Sequence, residues 1–336
     1  MTTKKRSLPI TYKLIGSVIV FAAMFVISMV FGAAQTPIED VWLAITSPAA
    51  VNDNILTLRE IRFPREVAGI LVGAALAVSG AIMQGVTRNP LADPGLLGLT
   101  SGATMALALT LAFAPGVSYF GIMIACFTGA AFGASLVIIL GAMRRGSLSP
   151  IRIVLAGAAV SAFLYAISEG ISIYFKISKD VSMWTAGGLI GTTWGQVQMI
   201  APVIIVAILI SIFLARQITI LSLNDEVAAS LGQKLVQIEA ILFLLVILLT
   251  GAAVALVGNM AFIGLMIPHI VRKITGTDYR FVIPFSAITG ASFMLLADTL
   301  GRTINIPYET PVAAIVATLG LPFFLLVVRK GGKSFS

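Results

Sequence analysis

Stretches of roughly twenty predominantly apolar residues, the number that crosses a ~30 Å hydrocarbon core as a helix, recur along almost the whole chain. Short breaks carrying charge, proline or glycine separate them. Backbone groups in lipid must satisfy one another within a helix or a closed barrel, and the alternation of a barrel strand is absent. The chain is therefore expected to be all-α, a polytopic membrane protein. Charged residues make up only 11% of it, against about a quarter in a soluble domain.

The apolar runs predict ten spans, at about 14–34, 65–86, 95–113, 117–142, 151–175, 195–215, 236–257, 260–271, 281–301 and 309–328. They form a single transmembrane domain over 1–336, with weak halves near 1–175 and 195–336. The eighth run is too short to cross alone, so it is a half-span, a tilted helix, or continuous with irregular backbone. The first follows Lys4, Lys5 and Arg6 and is longer than the apolar core of a signal peptide, so it reads as a retained helix.

Charge placement orients the bundle. With the amino terminus inside, 16 of the 22 Lys and Arg fall in cytoplasmic segments. The outside keeps Arg59, Arg62, Arg65, Lys176, Lys179 and Arg302. That bias supports an even number of spans with both termini cytoplasmic, in an inner membrane. Arg59, Arg62 and Arg65 then stand at the outer mouth of the second span, where the bias does not want them. Either a partner uses their charge, or they snorkel to lipid phosphates or pair with Glu60 and Glu66.

Several segments are informative beyond their hydropathy. Gly69, Gly73, Ala77 and Ala81 recur every four residues in the second span, beside Ser79 and Gly80, as in a helix packed closely inside a bundle. The following stretch RNPLADPGLLG (88–98) cannot continue a helix through Pro90 and Pro94, which implies a broken, ordered start to the third span. VGNMAFIGLMIPH (257–269) has the same character, and Gly264–Leu265 echoes Gly95–Leu96. Corresponding interruptions in two halves point to an inverted repeat with the pathway between them.

The loop RQITILSLNDEVAASLGQKL (216–235) is too polar to span but has the grammar of a short helix. Ser222 or Asn224 can cap it, Asp225 and Glu226 favour its first turn, and Gly232 can end it. Such a helix is either a docking knob or a surface connector. Glu169 and Asp298 are the notable ionisable residues inside spans, and an i, i+4 pair with Arg302 accounts for Asp298.

No catalytic, cofactor or metal constellation is expected. Cys126 is alone in an apolar run, and the lone His269 has no second histidine to share a metal. GGKS (331–334) lacks the earlier glycine of a phosphate loop, since position 327 is Val327. The net charge of +8 is spread over the gaps between spans rather than gathered with aromatics, which argues against nucleic acid.

Taken together, RFPREVAGILVGAALAVSGAIMQGVTRNPLADPGLLGLTSGA (62–103), the loop at 221–232, AFIGLMIPHIVRKITGTDYR (261–280), GASFMLLADTLGR (290–302) and ETPVAAIVATLGLPFFLLVV (309–328) resemble the FecCD-like permeases of iron-siderophore and vitamin B12 ABC importers. The resemblance implies ten helices with an inverted repeat. It also implies a second permease subunit, identical or paralogous, two ATPase subunits below, and an extracytoplasmic binding protein above. By motif position, Arg62 and Arg65 in RFPR and Arg302 in ADTLGR would receive acidic residues of the binding protein. Ser222, Leu223, Asn224, Asp225, Glu226, Ala228, Leu231 and Gly232 match the helix that couples to the ATPase, with Asn224 standing where the family commonly has glycine. Glu169, Asn259 and Thr310 would lie on the pathway wall.

The function so implied is ATP-driven import of an iron(III)-siderophore by a non-catalytic subunit, with cobalamin or haem as alternative cargoes. A single-chain ion-coupled transporter is the rival from another class, and Glu169 is the one carboxylate it could use. The other importer class would carry a fuller cytoplasmic motif than EVAASLG (226–232) offers.

Overall fold

The computed structural model describes residues 9–32, 36–48, 50, 52–142, 150–186, 188–223 and 225–331. Among these residues there is no β-strand, in line with the absence of strand periodicity. The longer helices are α1 (Ile10–Val30), α4 (Phe63–Val86), α5 (Leu99–Phe113), α6 (Tyr119–Ala142), α7 (Pro150–Tyr174), α9 (Trp194–Phe213), α12 (Leu235–Val257), α13 (Ile263–Thr275), α14 (Tyr279–Thr303) and α15 (Val312–Gly331). Short helices link them: α2 (Ile38–Thr46), α3 (Asp53–Thr57), α8 (Ser178–Ala186), α10 (Ala215–Leu221) and α11 (Asp225–Ser230). A π-helical turn, Leu58–Arg62, joins α3 to α4, so Asp53–Val86 is helical without a break.

Each of the ten predicted apolar runs contains one long helix, but their lengths are unequal. Seven are long and apolar enough to cross a membrane, while α5, α13 and the apolar part of α15 are shorter. The third run, expected to start near 95, is helical only from Leu99. Pro94 instead opens a 3-10 turn over Pro94–Leu97, capped by the Asp93 carboxylate accepting from the Gly95 amide (2.7 Å).

The small-residue stripe decides what sits at the centre. Helix α4 is buried along nearly its full length and packs against α14, α12, α13 and α9. Gly73 lies against the Gly290 carbonyl of α14, and Gly80 against the Gly264 carbonyl of α13, so close that a methyl group at either would collide with backbone. Lipid tails are as apolar as leucine, so such approach of bare backbones is what holds helices together in a membrane. Gly102 with Gly129 and Gly98 with Gly133 join α5 to α6 in the same way. Helices α1 and α9, by contrast, leave most of their apolar surface exposed, as lipid-facing helices do.

Both short helices start from a left-handed residue: Gly98 (φ +71°) precedes α5 and Phe262 (φ +67°) precedes α13. Thirteen residues of α13 rise only ~20 Å, two thirds of a hydrocarbon core. The eighth run is thus a partial helix continuous with irregular backbone, as its length predicts.

Candidate functional site

Three features stand out: a buried charge cluster at one end of the bundle, a cavity between the two broken segments, and a knob at the other end.

The cluster gathers Arg62, Arg65 and Arg302 with Glu66, Asp298 and Glu309, three formal charges of each sign. Arg65 makes two forked pairs. Its Nε and Nη2 donate to Asp298 at 2.8–3.1 Å, and its Nη1 and Nη2 donate to Glu309 at 3.0 and 2.9 Å. Arg302 places Nη2 2.6 Å from Glu66 Oε1 and Nε 2.9 Å from Asp298 Oδ2, the i, i+4 pair. Arg62 donates through Nη1 to the Met29 carbonyl (2.6 Å), closing the last turn of α1, where a cation complements the helix dipole. Arg62, Arg65 and Arg302 are each less than a tenth exposed, and Glu66 and Asp298 are fully buried.

Sequence reasoning located the three arginines and the Asp298–Arg302 pair; packing and ion pairing bury the arginines at that end of the bundle. Glu66 pairs with Arg302 rather than with its neighbour Arg65. Arg59 donates to the Ala44, Ser47, Pro48 and Ala50 carbonyls and so closes α2. Glu309 was missed, although a carboxylate directly before an apolar run is a detectable signal.

The cavity, about 480 Å³, lies between the two broken segments. Asp93, Pro94 and Gly95 form one wall, and Asn259, Met260 and Phe262 face them, with Ser161 of α7, Thr250 of α12 and Phe324 of α15 completing the lining. Below it, the buried Gln84 amide donates to the carbonyls of Ala92 (3.3 Å), Gly264 (3.1 Å) and Leu265 (3.3 Å), and its oxygen accepts from Arg272. One side chain thus ties α4 to both broken segments. Of the three expected wall residues, Asn259 lines the cavity. Glu169 lies half-buried on α7, hydrogen-bonded to Tyr165 one turn earlier. Thr310 is held away from the cavity, its amide donating to the Gly301 carbonyl (2.8 Å).

The knob is α10 and α11. Helix α11 ends as predicted: Gly232 takes φ +79° and its amide closes on the Ala229 carbonyl (2.9 Å). Ser222 is the C-cap residue of α10, and its hydroxyl donates to the Thr219 carbonyl of that helix (2.7 Å). Asn224, the other expected cap, lies outside the described residues. Leu223, Val227 and Leu231 are exposed at four-residue spacing, and Glu226 is exposed beside them, while Ala228 is buried. Arg88 (φ +51°) donates from Nε to the Leu221 carbonyl (3.0 Å), joining the knob to the end of α4. Asp278 caps α14 through the Arg280 amide and also accepts from the Arg280 side chain and from Thr219. The Arg280 guanidinium holds the Asp278 carboxyl below the usual range.

No group of three or more metal-ligating side chains occurs among the described residues. What the geometry offers is a cavity framed by broken helices, with a charged face at one end of the bundle and an apolar knob at the other.

Residues 20–330 match the model of the FecCD transport family. This chain belongs to that family. It is similar to the iron(3+)-hydroxamate import system permease protein FhuB of Bacillus subtilis (strain 168), with 44% identity over 304 residues covering 90% of this chain and 79% of the relative. It is 39% identical to the iron-uptake system permease protein FeuB of the same organism, covering 95% and 96% of the two chains. The hemin transport system permease protein HmuU of Yersinia pestis is 38% identical over 80% of this chain and 82% of its own. Its fold is that of a metal-chelate type ABC transporter solved in an inward-facing conformation, with a TM-score of 0.84 at 24% identity over 95% of this chain and 99% of that one. As a FecCD permease the chain is a multi-pass membrane subunit without catalytic activity of its own.

Proposed function

We propose that this FecCD permease is the translocating subunit of an ATP-driven importer that moves an iron(III)-siderophore across the cytoplasmic membrane. The observation that carries the reading is the meeting of both broken segments on one cavity in a chain whose relatives are named as iron-chelate import permeases. In this reading the ten long helices all cross or enter the membrane, and α1–α7 and α9–α15 are the two inverted halves. The left-handed starts of α5 and α13 support the repeat. Both termini and the 216–235 loop are cytoplasmic, as the lysine and arginine bias favours.

The partners follow from the two ends. An ATPase subunit seats the knob, residues Ser222 to Gly232, around the exposed stripe of Leu223, Val227 and Leu231, and Arg88 and Gln84 pass its motion to the broken segments. A binding protein docks over the Arg62, Arg65 and Arg302 cluster. A second permease, identical or paralogous, covers the exposed face of α7. A half-buried Glu169 beside exposed Phe163 and Ile173 supports that placement, since a carboxylate facing lipid is costly. Asn259, which lines the cavity, and Glu169 on the exposed face of α7 then belong to the wall of the shared pathway.

Uptake of iron-55 chelates by a deletion strain carrying this chain tests the function. Hydroxamate or citrate chelates should enter while ATP is present and continue after the proton gradient is collapsed. Uptake that stops with the gradient and ignores ATP would return the ion-coupled transporter to first place, and rescue by haem or cobalamin alone would reassign the cargo.

A further inference from the structure

Every nitrogen of Arg65 already serves an acid, and a single N–H on Nη1 is left over. Its Nε, Nη1 and Nη2 all donate to Asp298 or Glu309. A carboxylate arriving from outside can form a forked pair only by replacing one of the two acids already bound, and these are not equivalent. Asp298 sits within α14 with its side chain fully buried and is shared with Arg302. The Glu309 side chain is 27% exposed and belongs to no helix. It lies in the 304–311 connection, where Ile304, Ile306 and Tyr308 are exposed, and the Thr310 amide on Gly301 is the backbone tie that follows it.

We propose that Glu309 is an internal stand-in for the docking carboxylate. It occupies Arg65 in the resting chain and is displaced by an acidic side chain of the protein that docks there. This inference rests on the docking reading above. Exchange of one carboxylate for another keeps the cluster at three charges of each sign, so neutral or basic side chains cannot replace Glu309 without leaving a buried guanidinium uncompensated. The consequence reaches past the face itself. Glu309 is three residues from the start of α15, and Phe324 of that helix lines the cavity. Releasing Glu309 frees the leading end of α15, so that occupancy of the charged face is reported to the pathway wall without any change in net charge.

The test uses the assembled transporter in nanodiscs, with its own binding protein as the probe. Glu309→Gln removes the competitor; close charge pairs across interfaces couple by about 1.5 kcal/mol or more, about tenfold in affinity. The variant should bind the binding protein about tenfold more tightly. Amide hydrogen exchange over 304–315 should rise, before docking, to the level that docking produces in the parent. Glu309→Asp, which keeps the charge, should return both readouts toward the parent and controls for misfolding. Unchanged or weaker binding by Glu309→Gln, with Arg65→Ala still losing docking, overturns the stand-in and leaves the docking face intact. Parent-like binding by Arg65→Ala overturns the docking reading itself.

Discussion

Neutralising Asp298 should expose how far the buried cluster depends on balance. Its carboxylate lies within 2.8–3.1 Å of nitrogens on Arg65 and Arg302, with neither aspartate nor arginine more than a tenth exposed. At an effective dielectric of about 20, a charge pair separated by ~4 Å is worth ~4 kcal/mol, so two such pairs are at stake. The asparagine amide still accepts one hydrogen bond, and the aspartate no longer has to be desolvated. The net loss for Asp298→Asn should then be about 3–5 kcal/mol, the range for removing one partner of a buried pair. Adding Arg302→Gln restores two charges of each sign. If balance is what matters, the double variant should recover at least ~1 kcal/mol over the sum of the single losses. Reversible unfolding by SDS titration in mixed micelles, on all four members of the cycle, measures both quantities. A loss under ~1 kcal/mol for Asp298→Asn, or strict additivity in the cycle, would refute the argument that the cluster acts as a neutral unit.

Two further outcomes follow from the packing. Gly80→Ala sets a methyl group against the Gly264 backbone, so α4 and α13 must separate; a stability loss of about 1–3 kcal/mol and impaired chelate uptake are expected, and parent-like behaviour in both would dismiss the close approach. Asp278, whose carboxyl is held below its usual range, contributes stability that is complete above the unfolded value of about 3.9 and is lost as pH falls through the lower folded value. Asp278→Asn should therefore flatten the acid limb of a stability-versus-pH curve below about pH 4, and an unchanged limb would remove Asp278 from the account.

Local rules made much of this molecule legible. Apolar runs of crossing length became helices because a backbone in lipid has no other way to satisfy itself. Pro90 and Pro94 ended α4 before the third run, and Gly232 ended α11 in the left-handed conformation that favours glycine. The four-residue stripe of small residues marked α4 as interior, and the motif strings named the family. Ser222 and Asn224 were both open as the cap of α11, and Ser222 serves the end of α10, because a hydroxyl can reach backward as easily as forward and spacing alone does not choose.

Pairing across the chain belonged to tertiary structure alone. Arg65 meets Asp298 from 233 residues away and Glu309 from 244, and Gln84 reaches Gly264 from 180. Periodicity reports which face of a helix is apolar, but not which helix will cover it or which acid a buried arginine will find. Hydropathy by itself committed this chain to the membrane and to helices. Only the packing of α4 against α14 and α1, with the 304–311 connection laid over them, decided that three arginines would be buried against three acids, because charge entering a low-dielectric interior must be matched by whatever the fold brings within reach.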